Sequence, residues 1–274
     1  MSAREGLGRT ALVTGASAGI GMALARVFAA NGFNLVLTAR RTERLVALAK
    51  ELHDKHGIDA RPMPADLARP DAPANLIAAL ERAGIAIDVL VNNAGYAVPG
   101  LYRETPWEVQ RDFLQVLVTA PCELVHRLLP AMTARGYGRI LNIASVAGLM
   151  PGSASNTLYG GAKAMLIKSS QSLHSEQTGT GVFVTALCPG FTHSEFHDVT
   201  GTRAEMSRMP RYMWLSADAV AREGYRAVMK NEAICIPGLQ YRLIAGVARV
   251  LPLGLAYRLG RLRSRLLAKK EKIG

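Results

Sequence analysis

Tyr159 and Lys163 are the residues of this chain whose types and spacing point most directly to proton chemistry. They are four residues apart in a segment with a helical pattern, so their side chains are expected on one helix face. A tyrosine hydroxyl, with a pKa near ~10, exchanges protons poorly at neutral pH unless a neighbouring positive charge lowers that pKa. Lys163 could supply that charge, and Ser145, at the end of a predicted strand, could stabilise negative charge on a reacting oxygen. A packed ring beside a solvated amine is the alternative interpretation.

A glycine-rich turn near the N-terminus indicates a phosphate-binding site. The run Thr14-Gly15-Ala16-Ser17-Ala18-Gly19-Ile20-Gly21 follows an apolar strand pattern and leads directly into a helical one. Its three glycines allow a tight turn, close approach of backbone N–H groups to a pyrophosphate, and close packing of helix on strand. An ordinary strand-to-helix turn would show similar glycines. Its place after the first strand of an alternating chain favours nucleotide binding.

Short apolar runs alternate with longer amphipathic segments, and this alternation predicts the elements that position these residues. Strands are predicted at residues 10–13, 34–37, 60–63, 88–91, 139–143, 182–187 and 233–236. Helices are predicted at residues 20–30, 42–56, 71–83, 106–134, 157–178 and 217–230. Apolar strands alternating with helices are typical of a parallel sheet covered on both faces. The predicted fold is therefore α/β, a doubly wound Rossmann-type parallel β-sheet in a single domain.

Several motifs, occurring in the expected order, resemble the short-chain dehydrogenase/reductase family. They are G-x-x-x-G-x-G from Gly15, Asn92-Asn93-Ala94-Gly95 after the fourth strand, Ser145 after the fifth, Tyr159 with Lys163, and Pro189-Gly190 after the sixth. The resemblance extends from about Thr10 to Gly238. It implies hydride transfer between a nicotinamide nucleotide and an alcohol or carbonyl compound. It also implies that Tyr159 is the general acid/base, that Ser145 holds the substrate oxygen and that Lys163 binds the nicotinamide ribose.

The resemblance also predicts which residues bind the cofactor and which form of it is preferred. The end of the second strand has no acid but has Arg40 and Arg41, and guanidinium groups bind a 2′-phosphate in a bidentate fork. NADP(H) is therefore expected over NAD(H), the alternative being a solvated charge pair at a helix start. Asp66 matches the family's adenine-binding acid. The expected cofactor-binding residues are Gly15, Ser17, Gly19, Ile20, Gly21, Arg40, Arg41, Asp66, Leu67, Asn93, Ala94, Gly95, Tyr159, Lys163, Pro189, Gly190, Thr192 and Ser194.

Leu117 departs from the family pattern. The family usually has an asparagine here, which kinks the helix and holds a water linking the lysine to solvent. Leucine cannot bind water, so Gln115 or Thr119 substitutes, the proton leaves by another path, or turnover is slow. The departure motivates an alternative function, a nucleotide-binding scaffold or sensor with little turnover. The presence of Ser145, Tyr159 and Lys163 together favours an enzyme.

Residues 191–214 show no sustained period and contain several Met, Tyr and Trp residues, which is typical of a substrate lid. With nearby apolar side chains they predict a small hydrophobic alcohol or carbonyl substrate. Fatty acyl, steroid-like and terpenoid compounds all fit. His193 and His197 have metal-ligand spacing but not the H-E-x-x-H order, so no metal site is expected. The expected substrate-binding residues are Ser145, Leu149, Met150, Tyr159 and Phe191.

The net charge of +12 is distributed unevenly along the 274 residues. From Gln240 onward there are nine basic residues and one acid, so this tail holds +8 and the preceding residues hold +4. A nucleic-acid partner is disfavoured because its recognition surface would spread basic residues over the fold. Three widely spaced cysteines exclude a disulfide framework and point to a reducing compartment, the cytoplasm.

The tail defines a predicted division into a catalytic domain, residues 1–238, and a basic amphipathic extension, residues 239–274. Leucines interspersed with arginines are typical of a helix at the surface of an anionic membrane. A C-terminal helix that packs its leucines on the domain or on a sister subunit is an equal alternative. The family resemblance implies a homodimer or homotetramer in which the helices at 106–134 and 157–178 pair.

Overall fold

The computed structural model describes residues 5–152, 157–193, 210–252 and 254–255. Within these ranges the strands are β1 Thr10–Thr14, β2 Asn34–Thr38, β3 Ala60–Pro62, β4 Val89–Asn92, β5 Gly138–Ile143, β6 Val182–Leu187, β7 Thr192–His193, β8 Leu215–Ser216 and β9 Ile234–Cys235. The helices are α1 Gly19–Ala30, α2 Thr42–His56, α3 Ala72–Arg82, α4 Trp107–Leu114, α5 Ala120–Ala134, α6 Thr157–Glu176, α7 Ala217–Met229 and α8 Leu239–Val250.

Seven strands form one parallel sheet in the order β3-β2-β1-β4-β5-β6-β9. The order reverses between β1 and β4, so the carboxyl ends of these two strands border the crevice where ligands bind in open α/β sheets. The predicted doubly wound Rossmann-type fold is confirmed.

The strands read as continuous apolar runs because helices cover both faces of the sheet. In β1, Ala11 and Val13 join the hydrophobic cluster that includes residues of α1, α2 and α7. Leu12 points the other way, into the cluster that includes residues of α3 and α5. All three side chains are fully buried. Both faces of a central strand are therefore core, as parallel sheets require.

The long helix predicted over 106–134 is interrupted by one π turn, Gln115–Thr119, between α4 and α5. Such turns inside α-helices are frequent at functional sites. The turn includes Leu117, so the break in the helix persists although the asparagine expected there is absent.

Two short strands were not predicted from the sequence. β7 and β8 pair in parallel through Thr192 with Leu215 and His193 with Ser216. They join the two ends of the predicted lid, whose residues 194–209 lie outside the described part of the chain. Each strand has only two residues, which is too short for a periodic pattern to be seen.

Helix α8 begins at the predicted start of the extension. Tyr241 and Ala245 are buried, whereas Leu239, Leu243 and Val247 are exposed. One side of α8 thus packs on the domain, but it does so through Tyr241 and Ala245, whereas the packing alternative for the tail had named its leucines. The leucine-bearing side does not pack on the described part of the chain.

Candidate active site

The glycine turn between β1 and α1 is locked to the end of β4. Gly15 has φ +66°, which favours glycine, and a side chain on Gly21 would overlap the Asn93 amide and the Gly15 carbonyl. The Asn93 side-chain amide donates to the carbonyl oxygens of Thr14 at 2.9 Å and Gly15 at 3.2 Å. The Thr14 hydroxyl oxygen accepts the Asn93 and Ala94 N–H groups at 2.9 and 3.0 Å. Asn93 therefore holds the turn in shape besides lining the crevice.

This turn fits the phosphates of a dinucleotide. Helix α1 begins without a side-chain cap and with no acidic residue in its first turn, so its N–H groups and positive end face outward for an anion. Arg41 reaches back to the turn, where its Nη2 and Nε donate to the Ser17 hydroxyl at 3.0 and 3.3 Å. Of the two predicted arginines, Arg41 is half-buried against the turn and Arg40 is exposed.

Tyr96 is a residue of the crevice that the sequence interpretation missed. Burial raises its pKa, and the charges of Asp112, Arg40 and Asp66 also act on it. Its ring packs edge-on against Phe113, with the ring centroids 5.7 Å apart. Tyr96 thus lies near Arg40 and Asp66, two residues predicted to bind the adenosine half. Its position directly after the Asn-Asn-Ala-Gly motif was the signal that could have identified it.

Asp66 is exposed and accepts the N–H of Ala68 at 3.1 Å, which shapes the turn after β3. Its neighbour Leu67 is buried and packs in the cluster that includes Phe113 and Leu117. The acid and the apolar residue expected beside the adenine are thus held at the carboxyl end of β3.

Ser145 is brought to α6 by a short 3₁₀ turn, Val146–Leu149. Its hydroxyl accepts the N–H of Ala147 at 3.1 Å and so caps this turn. A side chain on Gly148 would come within 2.6 Å of the Ala164 backbone nitrogen, so glycine is what lets the turn lie directly on α6. Tyr159 is in the first turn of that helix, and it forms a hydrogen bond with Ser145.

The electrostatics of Tyr159 differ from the sequence prediction. Burial raises its pKa above the ordinary tyrosine value, and the hydrogen bond with Ser145 opposes that rise. The Lys163 ammonium, expected to lower this pKa, lies 5.7 Å from the centre of the Tyr159 ring and donates to the Ile143 carbonyl at 2.7 Å. Burial lowers the pKa of Lys163 to about 8, with Cys188 partly opposing. In this structure desolvation, which disfavours both charged forms, is the largest influence on each pKa.

The side chains of Leu117 and Lys163 both lie next to the backbone of Gly95. A Cβ placed on Gly95 would be 3.6 Å from the Leu117 side chain and 3.8 Å from Lys163 Nζ. Of the two residues considered as polar substitutes, Thr119 is exposed, whereas the Gln115 amide nitrogen is buried with no hydrogen-bond partner among the described residues. An apolar side chain therefore takes the place of the expected water-binding amide.

The segment after β6 approaches Ser145 from the other side. The Pro189 carbonyl accepts the Val146 N–H at 3.1 Å and the Ser145 hydroxyl at 3.5 Å. Thr192 is buried and donates to the Gly190 carbonyl at 3.0 Å. Ser194, the remaining residue predicted here, lies outside the described residues.

Apolar side chains lie on the described part of the predicted substrate side. Leu149 and Met150 are partly exposed, and the ring centroids of Phe191 and Trp214 are 5.9 Å apart. Trp214 also stacks on His193 at 4.6 Å. A small cavity beside Tyr159 is lined by Val98, Gly100, Tyr102, Gln110, Phe113, Thr157 and Leu158.

Neither a metal cluster nor a membrane-crossing helix occurs in the described ranges. No three His, Cys, Asp or Glu side chains are grouped there to hold a metal ion. His197, the second histidine of the pair noted in the sequence, lies outside those ranges. No described helix has the length and apolar character needed to span a bilayer.

The three cysteines are free thiols, and Cys188 and Cys235 are buried.

Comparison with known proteins agrees with this geometry. A short-chain dehydrogenase from Sphingobium yanoikuyae, solved in complex with NADPH, is 31% identical with a TM-score of 0.79, covering 88% of this chain and 93% of that one. A solved 7β-hydroxysteroid dehydrogenase is 26% identical with a TM-score of 0.83, covering 95% and 99%. The serine 3-dehydrogenase of Agrobacterium fabrum is 38% identical over 203 residues, which cover 72% of this chain and 78% of that protein.

The family model for short chain dehydrogenases matches residues 9–204. This range contains the glycine turn, Asn93, Ser145, Tyr159 and Lys163, which the fold brings to one edge of the sheet. The chain therefore belongs to the short-chain dehydrogenase family, and it is an oxidoreductase that acts on alcohol or carbonyl groups with NAD(P).

Proposed function

We propose that this chain is an NADP(H)-dependent oxidoreductase that interconverts a hydrophobic alcohol and its ketone or aldehyde, with Tyr159 as general acid/base. The observation that carries the proposal is the grouping of Ser145, Tyr159 and Lys163 beside the phosphate-binding turn. The bound nucleotide supplies or accepts the hydride.

The protein's own residues handle the proton and the substrate oxygen. In the reducing direction the Tyr159 hydroxyl donates its proton to the oxygen that becomes the alcohol, and in the oxidising direction the phenolate takes it back. The Ser145 hydroxyl donates a hydrogen bond to the same oxygen and stabilises the negative charge that develops there. Lys163 holds the nicotinamide ribose, as its family resemblance implies, and its charge lies 5.7 Å from the centre of the Tyr159 ring.

Arg41 supports the preference for NADP(H). Its guanidinium already contacts the phosphate-binding turn through Ser17. The residue that follows β2 is Ala39, so no acid is present there to repel a 2′-phosphate. The NADPH bound to the Sphingobium yanoikuyae relative is consistent with this choice.

A hydrophobic substrate is supported by the side chains around the trio. Leu149, Met150 and Phe191 are apolar, and Trp214 extends this wall. One neighbour is named for a steroid, which is apolar, as a 7β-hydroxysteroid dehydrogenase. One relative is named for serine, which is polar, as a serine 3-dehydrogenase. The two names thus point in opposite directions, and the apolar side chains of this chain favour an apolar substrate.

A substrate panel followed by NADPH absorbance tests the proposal. It should contain steroid, terpenoid and fatty acyl carbonyl compounds, with sugars and a hydroxy amino acid as polar members. Turnover of one apolar class with kcat/KM well above that of the polar members is the expected result. Turnover confined to the polar members would contradict the proposed substrate class. NADPH binding without any turnover would favour the scaffold or sensor instead.

Leu117→Asn tests whether the missing asparagine limits the enzyme. A buried amide beside Gly95 and Lys163 could bind the water that relays the proton, so we expect kcat to rise about two- to tenfold if proton release is slow. The measurement is the pH–rate profile of kcat for both forms, with Leu117→Met as an apolar control of similar volume. An unchanged profile in Leu117→Asn would show that the chain uses another proton path.

A homodimer or homotetramer is proposed from the family resemblance. Apolar side chains remain exposed on the two helices that would pair, including Trp107 on α4 and Met165 on α6.

We also propose a cytoplasmic location, since all three cysteines are free thiols.

We propose that the exposed side of α8 makes a peripheral contact with an anionic membrane. Leu239, Leu243, Val247 and Val250 are 57% to 80% exposed at helical spacing, and Ile244 adds to this face. The sequence from Gln240 onward carries a net charge of +8, which complements anionic lipid. Exposed leucine and valine next to positive charge fit a bilayer surface better than an acidic peptide, which would leave the apolar face uncovered.

Vesicle flotation checks this contact. The full chain should float with vesicles containing anionic lipid and remain below with zwitterionic ones. The double variant Leu243→Glu with Val247→Glu should lose flotation, whereas Val46→Glu, on an exposed apolar position of α2, should retain it. Equal flotation of all three proteins would remove the membrane proposal.

A further inference from the structure

Tyr241, in the first turn of α8, connects the two ends of the predicted lid. Its hydroxyl oxygen accepts the N–H of Phe191 at 2.9 Å and donates to the carbonyl oxygen of Met213. Phe191 directly precedes β7, and Met213 is two residues before β8. A single side chain, only 2% exposed, therefore bridges the segment before β7 and the segment before β8.

The ring of Tyr241 is also fitted to the segment beside the nicotinamide. A Cβ on Gly190 would overlap this ring, so the glycine of the Pro-Gly motif lets the tyrosine lie directly on the backbone. Gly190 and Thr192 are predicted to bind the cofactor, and Phe191 between them is predicted to bind substrate. Tyr241 thus contacts the backbone that carries these residues without reaching the reacting atoms itself.

Helix α8 is anchored independently of that tyrosine. Arg242 donates to the Ile236 carbonyl at 2.8 Å and pairs with Glu223 of α7 at 2.9 Å. The Gln240 amide, in contrast, donates to the carbonyl of Tyr212 at 3.1 Å and so holds the second lid end. Arg242 therefore fixes the start of α8 to the domain, so loss of the Tyr241 hydroxyl would loosen the lid ends without releasing the helix.

We propose that Tyr241 is a positioning residue that fixes the lid ends at the spacing needed to bind substrate. Its two hydrogen bonds hold Phe191 opposite Trp214, so the apolar wall exists before the substrate arrives. Without the hydroxyl, the spacing depends on the β7–β8 pairing, which has two residues in each strand, and on the hydrogen bond from Gln240 to Tyr212. The population competent to bind substrate falls, and the apparent affinity falls by the same factor. This inference rests on the proposed function in taking the Phe191 side as the substrate side.

Tyr241→Phe tests this role because it removes the hydroxyl and keeps the ring on Gly190. We expect the KM for substrate to rise about tenfold while kcat and its pH profile change by less than about twofold. Tyr225→Phe is the matched control. Tyr225 is also buried, and its hydroxyl is hydrogen bonded to Glu5, distant in sequence from the lid. It should lose a similar amount of thermal stability and keep its KM.

A second readout does not depend on turnover. The sequence offers Arg203 and Arg208 to trypsin between the two lid ends. With NADPH bound, Tyr241→Phe should be cleaved there about ten times faster than the Tyr225→Phe control, with fragments identified by mass. An unchanged KM and an unchanged cleavage rate would overturn the positioning role, as would a fall in kcat with KM unchanged. Absence of turnover in the unaltered protein would instead defeat the proposed function, and the cleavage rates would still decide the role of Tyr241.

Discussion

Tyr159→Phe is expected to lower kcat by about 10²- to 10⁴-fold with the best substrate of the panel, the range typical of losing a general acid/base. The phenyl ring retains the packing of Tyr159 in the first turn of α6, but it has no proton to give to the substrate oxygen. Ser145 would still donate its hydrogen bond, so a residual rate is expected. Steady-state kinetics in both directions should show the same loss, because one group serves both.

Tyr137→Phe is the control for removing a tyrosine hydroxyl. That hydroxyl is buried without a hydrogen-bond partner among the described residues, and Tyr137 precedes β5 at the edge of the sheet opposite Ser145. Its loss should leave kcat within about twofold of the unaltered protein. NADPH titrations of both variants should give similar Kd values, which shows that the fold is intact. Activity retained in Tyr159→Phe would defeat the proposed mechanism.

The burial of Tyr159 makes this experiment informative about electrostatics as well. Desolvation raises its pKa, and Lys163, whose own pKa burial lowers to about 8, does not offset that rise. The sequence shows the four-residue spacing that places both side chains on one helix face, and the structure agrees with that placement. The sequence cannot show how much water surrounds the two side chains, and this decides whether the pKa of Tyr159 is raised or lowered.

The elements of the fold were predicted well because each has a local signal. The strand at 182–187 and the helix at 42–56 agree with the structure at both ends, since apolar runs and helical periodicity mark them directly. The break at Gln115–Thr119 has no such signal, so the helix at 106–134 was predicted without it. β7 and β8 are too short for any period and form only because distant parts of the chain pair.

Contacts between distant residues also explain what was missed in the site. Tyr241 is 50 residues beyond Phe191, the residue whose N–H it accepts, and the predicted domain boundary separates the two. Gln240 and Arg242 flank it, with leucines at positions 239 and 243, so the pattern there described a basic tail. The proximity of Tyr241 to Gly190 depends on how α8 packs, which no local pattern contains.

Arg41→Ala is expected to lower kcat/KM for NADPH by about 10- to 150-fold, since a hydrogen bond to a charged group contributes about 1.5 to 3 kcal/mol. The kcat/KM for NADH should change by less than about twofold, because NADH lacks the 2′-phosphate that the guanidinium would bind. Arg41→Lys keeps the charge but loses the bidentate fork, so its value should be intermediate. Arg40→Ala should have a smaller effect than Arg41→Ala because Arg40 is exposed.

Two further variants separate phosphate recognition from support of the turn. Arg61→Ala removes an exposed arginine that pairs with Asp59, and it should change neither cofactor constant. Ala39→Asp places an acid at the end of β2, where it should repel NADPH and favour NADH through the ribose hydroxyl. Equal losses with both cofactors in Arg41→Ala would mean that Arg41 acts by holding Ser17 and the turn. A loss confined to NADPH, together with the opposite preference in Ala39→Asp, would establish that Arg41 binds the 2′-phosphate.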